Sequence, residues 1–457
     1  MKLRIGTLFR FFVRQDLAFW AMCAYLVVEY VRPQQLIGPI VGWPLGQIVV
    51  GTAIFAFALS GAPGLGLHGA ASWLLLLFTG VIVASSLTAY DPQTSFANIR
   101  VWFTWVAIYF MIINVIRTKP RFVFFLLVWL MCNYYMAQGG AKQFAFRGFA
   151  FADWGVTGAP GWFQNSGEFG IEMCIMFSIS WHYYLATKGH LTGWRKLFVI
   201  GMPITAVLGV LGSSSRGAVL GLAAGVMLAF FRHRLNVRSI AIFALLVAVS
   251  WLILPDQQKE RFSSAGEDHT SMTRKVYWMN GLDMARTHPL LGIGYENWLP
   301  YYNAFYRNSE ASDRLDIHGV AVAHNIFIQC MAELGFIGLS VFLMLIIACP
   351  LIGAQTRRLI RDARHPPDQF MIHMTYAMDE ALLSYLVSGF FVTVLYYPFF
   401  WINLAFVVSL NSIARRSTSA IRRAGMVRPA VRGAVASNPY HGLRPAHHSF
   451  SSESFLP

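Results

Sequence analysis

Apolar stretches long enough to cross a lipid bilayer recur along most of this chain and limit the folds available to it. A helix needs about 20 residues to cross the roughly 30 Å hydrocarbon layer. The chain is 56% hydrophobic and only 12% charged, whereas soluble domains carry about 25% charged residues. The sequence therefore predicts an all-α polytopic membrane protein.

Twelve of these stretches are candidate transmembrane helices, since a helix satisfies its own backbone hydrogen bonds in lipid. They cover residues 16–32, 43–60, 69–89, 99–116, 122–137, 168–186, 197–213, 217–231, 239–255, 324–352, 376–396 and 398–413. We expect residues 1–413 to form one transmembrane domain with a long hydrophilic loop at 256–323. Residues 414–457 lack an apolar period and are rich in Arg, Ser and Pro, which predicts a disordered basic tail.

The positions of the basic residues predict the orientation, because Lys and Arg near span ends are retained on the cytoplasmic side. With the N-terminus inside, most of the 36 Lys and Arg residues fall in inside segments. Both termini are then cytoplasmic, and loops 138–167 and 256–323 are on the outer side. The formal charge of +15 is explained by this bias and the tail, so nucleic acid is not an expected partner. All five cysteines lie inside predicted spans, which argues against a disulfide framework.

Two arginines on the outer side are candidates for anion binding, because a guanidinium group matches phosphate oxygens. Arg216 lies in a polar hinge between two apolar spans, where a turn with a snorkelling Arg is the alternative. Arg274 lies in the long loop, where a solvated surface charge is the alternative. Its surroundings are predicted to be helical, with an apolar face formed by Met272, Val276, Met279 and Leu282 and an end at His288-Pro289.

His324 stands where this loop meets an apolar run, so a titratable imidazole is expected at the membrane surface. The alternative is a helix-start residue with no chemical role. On a continuous helix, Gly335 and Gly338 share the face of His324, whereas Glu333 points away. Glu333 is therefore not expected to be the partner of His324. The Gly292-x-Gly294 pair lacks a third glycine and a βαβ context, so it predicts a tight turn and not a phosphate-binding loop.

Several short motifs occur in a fixed order around the long outer loop. They are Ser215-Arg216-Gly217, Arg274 with Trp278, Pro289-Leu290-Leu291-Gly292-Ile293-Gly294, and His324-Asn325 followed by Glu333-x-Gly335-x-x-Gly338. In this order, most clearly over 200–350, they resemble the O-antigen ligase and polymerase superfamily. The resemblance implies a GT-C-like fold in the bacterial inner membrane with a periplasmic active site.

The resemblance also implies a function, namely metal-independent, inverting transfer of a glycan from an undecaprenyl-diphosphate carrier to an acceptor hydroxyl. Arg216 and Arg274 would bind the donor diphosphate, and His324 would be the base toward the acceptor. We also expect Asn165, Trp278 and Asn325 to contact substrate, and we expect no metal or cofactor. The acceptor stays open among a lipid A core, a growing polysaccharide and a protein hydroxyl.

A transporter of polysaccharide or of a lipid-linked glycan is the alternative from another class of protein. It would also be polytopic and would also recognise a diphosphate. A transporter predicts ionisable residues in the middle of the membrane and internal repeats. The charges singled out here are predicted to lie at the outer surface, which favours the enzyme.

Overall fold

The described part of the chain is a bundle of α-helices without β-strands. The computed structural model describes residues 5–61, 65–151, 154–233, 268–309, 322–363 and 366–433, with the single positions 241, 259 and 315. Its helices are α1 (Ile5–Val13), α2 (Leu17–Tyr30), α3 (Pro33–Leu36), α4 (Leu45–Leu59), α5 (Ala70–Leu87), α6 (Pro92–Val115), α7 (Lys119–Phe146), α8 (Ser166–Thr187), α9 (Gly193–Gly212), α10 (Arg216–His233), α11 (His269–Thr287), α12 (Trp298–Phe305), α13 (Ile326–Ala363), α14 (Gln369–Gly389) and α15 (Pro398–Gly433).

Many of these helices begin at a short polar side chain that the sequence places directly before an apolar run. The side chains of Asp16, Asp91, Thr118, Asn165 and Asp368 each accept a backbone N–H from the first turn of the following helix. Such capping satisfies donors that have no partner inside the helix and contributes about 1 kcal/mol per helix. The helix starts are thus determined locally.

The helices agree with the predicted polytopic all-α class. Helices α5, α6, α7, α9 and α13 are long and apolar enough to cross a membrane. Helices occupy eleven of the predicted span positions, and the ninth predicted span, 239–255, lies outside the described residues apart from position 241. The total of twelve spans stays a prediction.

Helix α14 lies near the middle of the bundle and packs against α8, α10 and α13. Helix α13 also packs against α5, α11 and α15, so it joins the outer-loop helix α11 to the membrane bundle. Helix α2 packs against α4 and α7. The long loop is therefore anchored on the helix that follows His324.

Segments predicted to lie on one side of the membrane meet at one end of the bundle, which we call the His324 end. There the N–H of Tyr90 donates to the Ile293 carbonyl at 2.8 Å, and the N–H of Val156 donates to the Gly212 carbonyl at 2.8 Å. The opposite end holds predicted inside segments, joined for example by the Lys119–Asp368 ion pair at 2.7 Å. The loops predicted to be outside and the loops predicted to be inside thus lie at opposite ends of the bundle.

Helix α11 confirms the predicted helix in the long loop, but the predicted apolar face is wrong. Met279 on that face is 69% exposed. The buried face is instead formed by Tyr277, Gly281, Met284 and Ala285. Tertiary packing selected it, because Gly281 has no side chain and so lets Trp298 and Ile328 approach closely.

Helix α15 also differs from the expectation, since it continues past 413 to Gly433. Its described residues after 413 are therefore helical, whereas the sequence predicted a disordered tail from 414. Asn411 and Arg415 hydrogen-bond to Gln355 of α13 at 3.2 and 2.9 Å, which holds this part of α15 against the bundle. The division of the chain into a membrane domain and a tail stays a prediction, and residues 434–457 lie outside the described part.

Candidate functional site

His324 lies two residues before α13 in a left-handed backbone conformation, with φ 49°. Its backbone N–H donates to the Thr393 hydroxyl at 2.7 Å, which ties it to the segment between α14 and α15. Non-glycine residues in this conformation are uncommon and cluster at functional sites. The prediction that His324 lies on the helix is therefore wrong. His324 is a loop residue with a strained backbone conformation.

The imidazole of His324 is partly buried and stacks on the ring of Tyr277 at 6.2 Å, with an interplanar angle of 26°. Burial, together with the nearby positive charge of Arg274, lowers the pKa of His324 to about 4. At neutral pH the ring is therefore uncharged, and one ring nitrogen has a free lone pair. An uncharged imidazole can accept a proton.

Arg216 begins α10 and forms a two-fold ion pair with Asp268, with nitrogen–oxygen distances of 3.0 and 3.2 Å. Asp268 is also the N-cap of α11, where it accepts from the Ser271 backbone at 3.0 Å and from its hydroxyl at 2.7 Å. One carboxylate therefore joins the starts of two helices. Sequence reasoning missed Asp268, although an aspartate directly before a predicted helix is a capping signal.

The pKa of Asp268 reflects the groups that stabilise its ionised carboxylate. Burial raises its pKa, but the hydrogen bonds from Arg216 and Ser271 outweigh burial and hold the pKa well below its ordinary value. The carboxylate is thus ionised at neutral pH and offsets part of the charge of Arg216.

Arg274 lies on α11 between these groups. Burial lowers its pKa, the positive charge of Arg216 lowers it further, and Asp268 acts in the opposite direction. An arginine keeps its charge despite such shifts. Its Nε is buried and has no hydrogen-bond partner among the described residues. Arg274 thus interacts electrostatically with the carboxylate that pairs with Arg216, and its Nε is a buried donor without a partner in the described part of the chain.

The fold brings the three predicted catalytic residues into one neighbourhood. Arg274 interacts electrostatically with both Arg216 and His324. Tyr277 lies one turn after Arg274 on α11, and its ring stacks against the ring of His324. Their catalytic roles stay predictions.

The three predicted substrate contacts have different surroundings. Asn325 and Asn165 are N-caps of α13 and α8, and their side-chain oxygens accept backbone N–H groups at 2.8 Å. Those oxygens are therefore used inside the protein. Trp278 packs edge-on against Phe390 at 5.2 Å, and its indole N–H is buried without a partner in the described part of the chain. Of the three, Trp278 presents an unused polar group.

Helix α13 is interrupted at Gly335, whose φ of 66° and ψ of −171° are not helical. The segment after His288 fills the gap. The N–H of Ile293 donates to the Ala332 carbonyl at 2.9 Å, and the N–H of Phe336 donates to the Pro289 carbonyl at 2.8 Å. The turn predicted at Gly292-x-Gly294 is displaced: one turn closes on Gly292, whose N–H donates to the His288 carbonyl at 3.1 Å, and another begins at Gly294, whose carbonyl accepts from Asn297 at 3.2 Å. The stretch between them pairs with the backbone of α13.

The interruption also removes the continuous helix from which the direction of Glu333 was predicted. Glu333 is buried and accepts from the backbone of Trp298 at 3.1 Å and from the Gln329 amide at 3.4 Å. These contacts are on the side of the loop segment and do not involve His324. The expectation that Glu333 does not pair with His324 therefore agrees with its hydrogen bonds.

A second group of ionisable side chains, which sequence reasoning missed, lies buried toward the opposite end of the bundle. His182 contacts Glu380 at 2.9 Å. Asp379 pairs with Arg232 at 2.7 Å and with Arg357 at 2.9 Å. The premise that the charges of interest lie only at the outer surface is therefore wrong. Each buried charge here has an opposite charge beside it, which is what a structural network requires.

The fold and the site together define a multi-pass, all-α membrane protein with an arginine and histidine site at one end of its helical bundle.

The region that contains this site is similar to a known protein family. Residues 202–343 match the family model described as O-antigen ligase. This range contains Arg216, Arg274 and His324, together with the Gly335 interruption. The predicted resemblance to the O-antigen ligase and polymerase superfamily is therefore confirmed over this region.

The exopolysaccharide production protein ExoQ of Rhizobium meliloti (strain 1021) is a similar protein. It is 30% identical to this chain over 105 residues, which is 22% of this chain and 23% of the relative. The matched region thus covers less than a quarter of the length of this curated relative.

Proposed function

We propose that this protein transfers a glycan from an undecaprenyl-diphosphate carrier to an acceptor hydroxyl at the periplasmic face of the bacterial inner membrane. The observation that carries the proposal is the partly buried Arg274. Its Nε has no partner in the described part of the chain, and Arg216 and the uncharged His324 are its electrostatic neighbours. Unpaired buried donors are rare and costly in folded proteins. An anionic headgroup would supply the missing acceptor.

The charge balance of the site suits a diphosphate. Arg216 and Arg274 are cationic, Asp268 is anionic and His324 is neutral, so these four groups carry a net positive charge. Negative charge grows on the diphosphate as the bond from the sugar to phosphate breaks. Two fixed guanidinium groups therefore stabilise the transition state more than the ground state.

The reaction is a single displacement at the anomeric carbon. The acceptor oxygen forms a bond to this carbon while the bond to the diphosphate oxygen breaks, and attack from the opposite face inverts the configuration. The acceptor proton moves to the free ring nitrogen of His324. The carrier diphosphate leaves with the electron pair and is held by the two arginines, which provide the charge that a metal ion provides in other transferases.

Transfer by purified protein tests this proposal. Protein in detergent is incubated with undecaprenyl-diphosphate glycan and candidate acceptors, with EDTA present. We expect transfer in EDTA and a loss of roughly 100-fold or more in His324→Ala, Arg216→Ala and Arg274→Ala. Arg286→Ala is the matched control, because Arg286 lies on the same helix α11 and is exposed. It should keep full activity.

Several outcomes would contradict the proposal. Transfer abolished by EDTA would overturn the metal-independent mechanism, and transfer unaffected by the substitutions would overturn the assigned roles. Movement of the lipid-linked glycan across proteoliposomes without any transfer would support the transporter, for which the buried network around Asp379 and Glu380 is the favourable observation. Product length separates a ligase, which attaches single blocks, from a polymerase, which makes a ladder of repeats.

A further inference from the structure

A groove lies between α9 and α10, apart from the arginine and histidine site. Both helices pack against α8 but make few contacts with each other. Helix α8 therefore forms the floor of the groove, and α9 and α10 form its walls. The groove has a volume of about 690 Å³. Ligand sites usually enclose about 300–1,000 Å³, so the groove is large enough to hold a ligand.

The lining of the groove is apolar. Phe177, Trp181 and Leu185 of α8 are spaced four residues apart, so they follow one face of that helix. The other lining residues also have hydrocarbon or aromatic side chains, and Ile204 of α9 is 53% exposed. A hydrocarbon chain is therefore the kind of ligand that fits this surface.

The position of the groove corresponds to one leaflet of a membrane. Helices α8 and α10 both begin at the His324 end. The groove residues Phe177 to Leu185 lie in the second half of α8, and Val226 to Phe230 lie in the second half of α10. Eight residues of helix rise about 12 Å. Half of the hydrocarbon layer is about 15 Å thick, so the groove extends over most of the leaflet farther from the His324 end.

Basic side chains lie beside the far end of the groove. Lys188 directly follows α8, three residues after Leu185, and Lys196 lies one turn before Ile200 on α9. Both lysines are exposed, and among the described residues neither forms an ion pair. Residues 173–255 contain no Asp or Glu. The positive charge at this end of the groove is therefore available to an anion.

An aromatic residue marks the same end of the groove as a membrane interface. Trp194 lies two residues before Lys196 and is 64% exposed. The guanidinium group of Arg195 lies 5.8 Å from the centroid of its ring. Trp is enriched where hydrocarbon meets lipid headgroups, and basic residues are retained on the cytoplasmic side. A lipid chain in the groove would thus place its headgroup beside the two lysines.

We propose that the groove binds an acyl chain of an anionic phospholipid whose headgroup contacts Lys188 and Lys196. Basic pockets between transmembrane helices on the cytoplasmic side attract anionic headgroups. The headgroup distinguishes this lipid from the carrier of the proposed reaction, whose diphosphate is assigned to the His324 end. The site does not depend on the proposed function.

Quenching of Trp181 by brominated lipid tests the site, because bromine quenches an indole only at close range. Full-length protein is reconstituted in phosphatidylcholine vesicles that contain a minor fraction of brominated phosphatidylglycerol or of brominated phosphatidylcholine. Trp181→Phe protein in the same vesicles gives the signal of the other tryptophans, and the difference is the signal of Trp181. We expect brominated phosphatidylglycerol to quench Trp181 at a lower fraction than brominated phosphatidylcholine.

Removal of the basic groups should weaken this preference. Lys188→Gln and Lys196→Gln should each reduce it by roughly fivefold, because each removes one charge beside the headgroup. Added salt should weaken it as well. Arg358→Gln is the matched control, because Arg358 is an exposed basic residue of α13, predicted on the same side of the membrane and outside the groove. It should keep the preference.

Filling the groove should exclude the chain of either lipid. Ala229 lines the groove, so Ala229→Phe should reduce the quenching of Trp181 by both brominated lipids. Met227→Phe is the control, since Met227 lies on the same helix, is 41% exposed and does not line the groove. Thermal unfolding of the lysine variants in unbrominated vesicles should match that of the parent, which separates a loss of binding from a loss of folding.

Several results would overturn the site. Equal quenching of Trp181 by the two brominated lipids would do so, and so would a preference that survives both lysine substitutions. No quenching by either lipid would show that no lipid chain enters the groove. If unbrominated undecaprenyl phosphate relieved the quenching at a lower fraction than unbrominated phosphatidylglycerol, the groove would belong to the carrier lipid. None of these results depends on transfer, because no glycan is present.

Discussion

Replacing Gly335 with alanine should destabilise the protein strongly, because Gly335 lies at the interruption of α13. Its φ of 66° and ψ of −171° fall in a region that is essentially restricted to glycine, where a side chain costs about 1–3 kcal/mol. A Cβ would also collide with the backbone carbonyl of Leu290, which cannot rotate away. Moving that segment weakens the bond from Phe336 to Pro289, worth about 0.5–1.5 kcal/mol. Together these effects predict a loss of about 2–4 kcal/mol.

The free energy of unfolding in detergent, from denaturant or thermal melts, measures this loss. Gly80→Ala is the control, since Gly80 lies in the regular helix α5 and its added Cβ meets nothing within 4 Å. That variant should be neutral or stabilised by up to about 1 kcal/mol. If Gly335→Ala were as stable as Gly80→Ala, the assigned role of the interruption would be wrong. We also expect Gly335→Ala to lose transfer activity, because the same interruption anchors the segment after α11 to α13.

Three other predictions follow from the charged groups. Because burial and Arg274 hold the pKa of His324 to about 4, kcat/KM should fall as pH drops through about 4, since protonation removes the base; half-maximal activity near pH 6.5 would contradict this. Asp268→Asn retains the N-cap but loses its charge, whereas Asp268→Ala loses both. The free energy of unfolding of the alanine variant should therefore be about 1 kcal/mol lower than that of the asparagine variant. Equal free energies would refute the capping role. Asp379→Ala removes the carboxylate paired with Arg357 and leaves Arg232 with Glu380 alone, so it should cost about 3–5 kcal/mol in unfolding measurements, while a loss below about 1 kcal/mol would show that the network is not structural.

Interactions between residues close in sequence were predictable. The apolar runs predicted the helical class, since a bilayer-spanning segment must satisfy its backbone internally. Capping residues such as Asn165 and Asp368 act on the first turn of the helix that follows them, so these helix starts are set locally. The helix around Arg274 and its end before His288 were likewise readable from local spacing.

Interactions between distant residues were not predictable from one sequence. The pairing of Arg216 with Asp268 joins residues 52 positions apart, and neither residue signals the other. The interruption at Gly335 depends on hydrogen bonds from the segment after His288, so a helical pattern alone predicts a continuous helix. The buried face of α11 was also set by its neighbours and not by its hydrophobic spacing.

The apolar runs of the sequence thus specify an α-helical membrane protein, and the candidate residues His324, Arg216 and Arg274 and their resemblance to a family can be recognised from the sequence. That these residues are neighbours and that His324 is uncharged follows from the packing of the bundle. Packing also leaves the Nε of Arg274 without a hydrogen-bond partner in the described part of the chain. Hydrophobicity and capping act within a few residues, whereas burial, charge coupling and hydrogen-bond completion depend on which distant segments the packed bundle brings together.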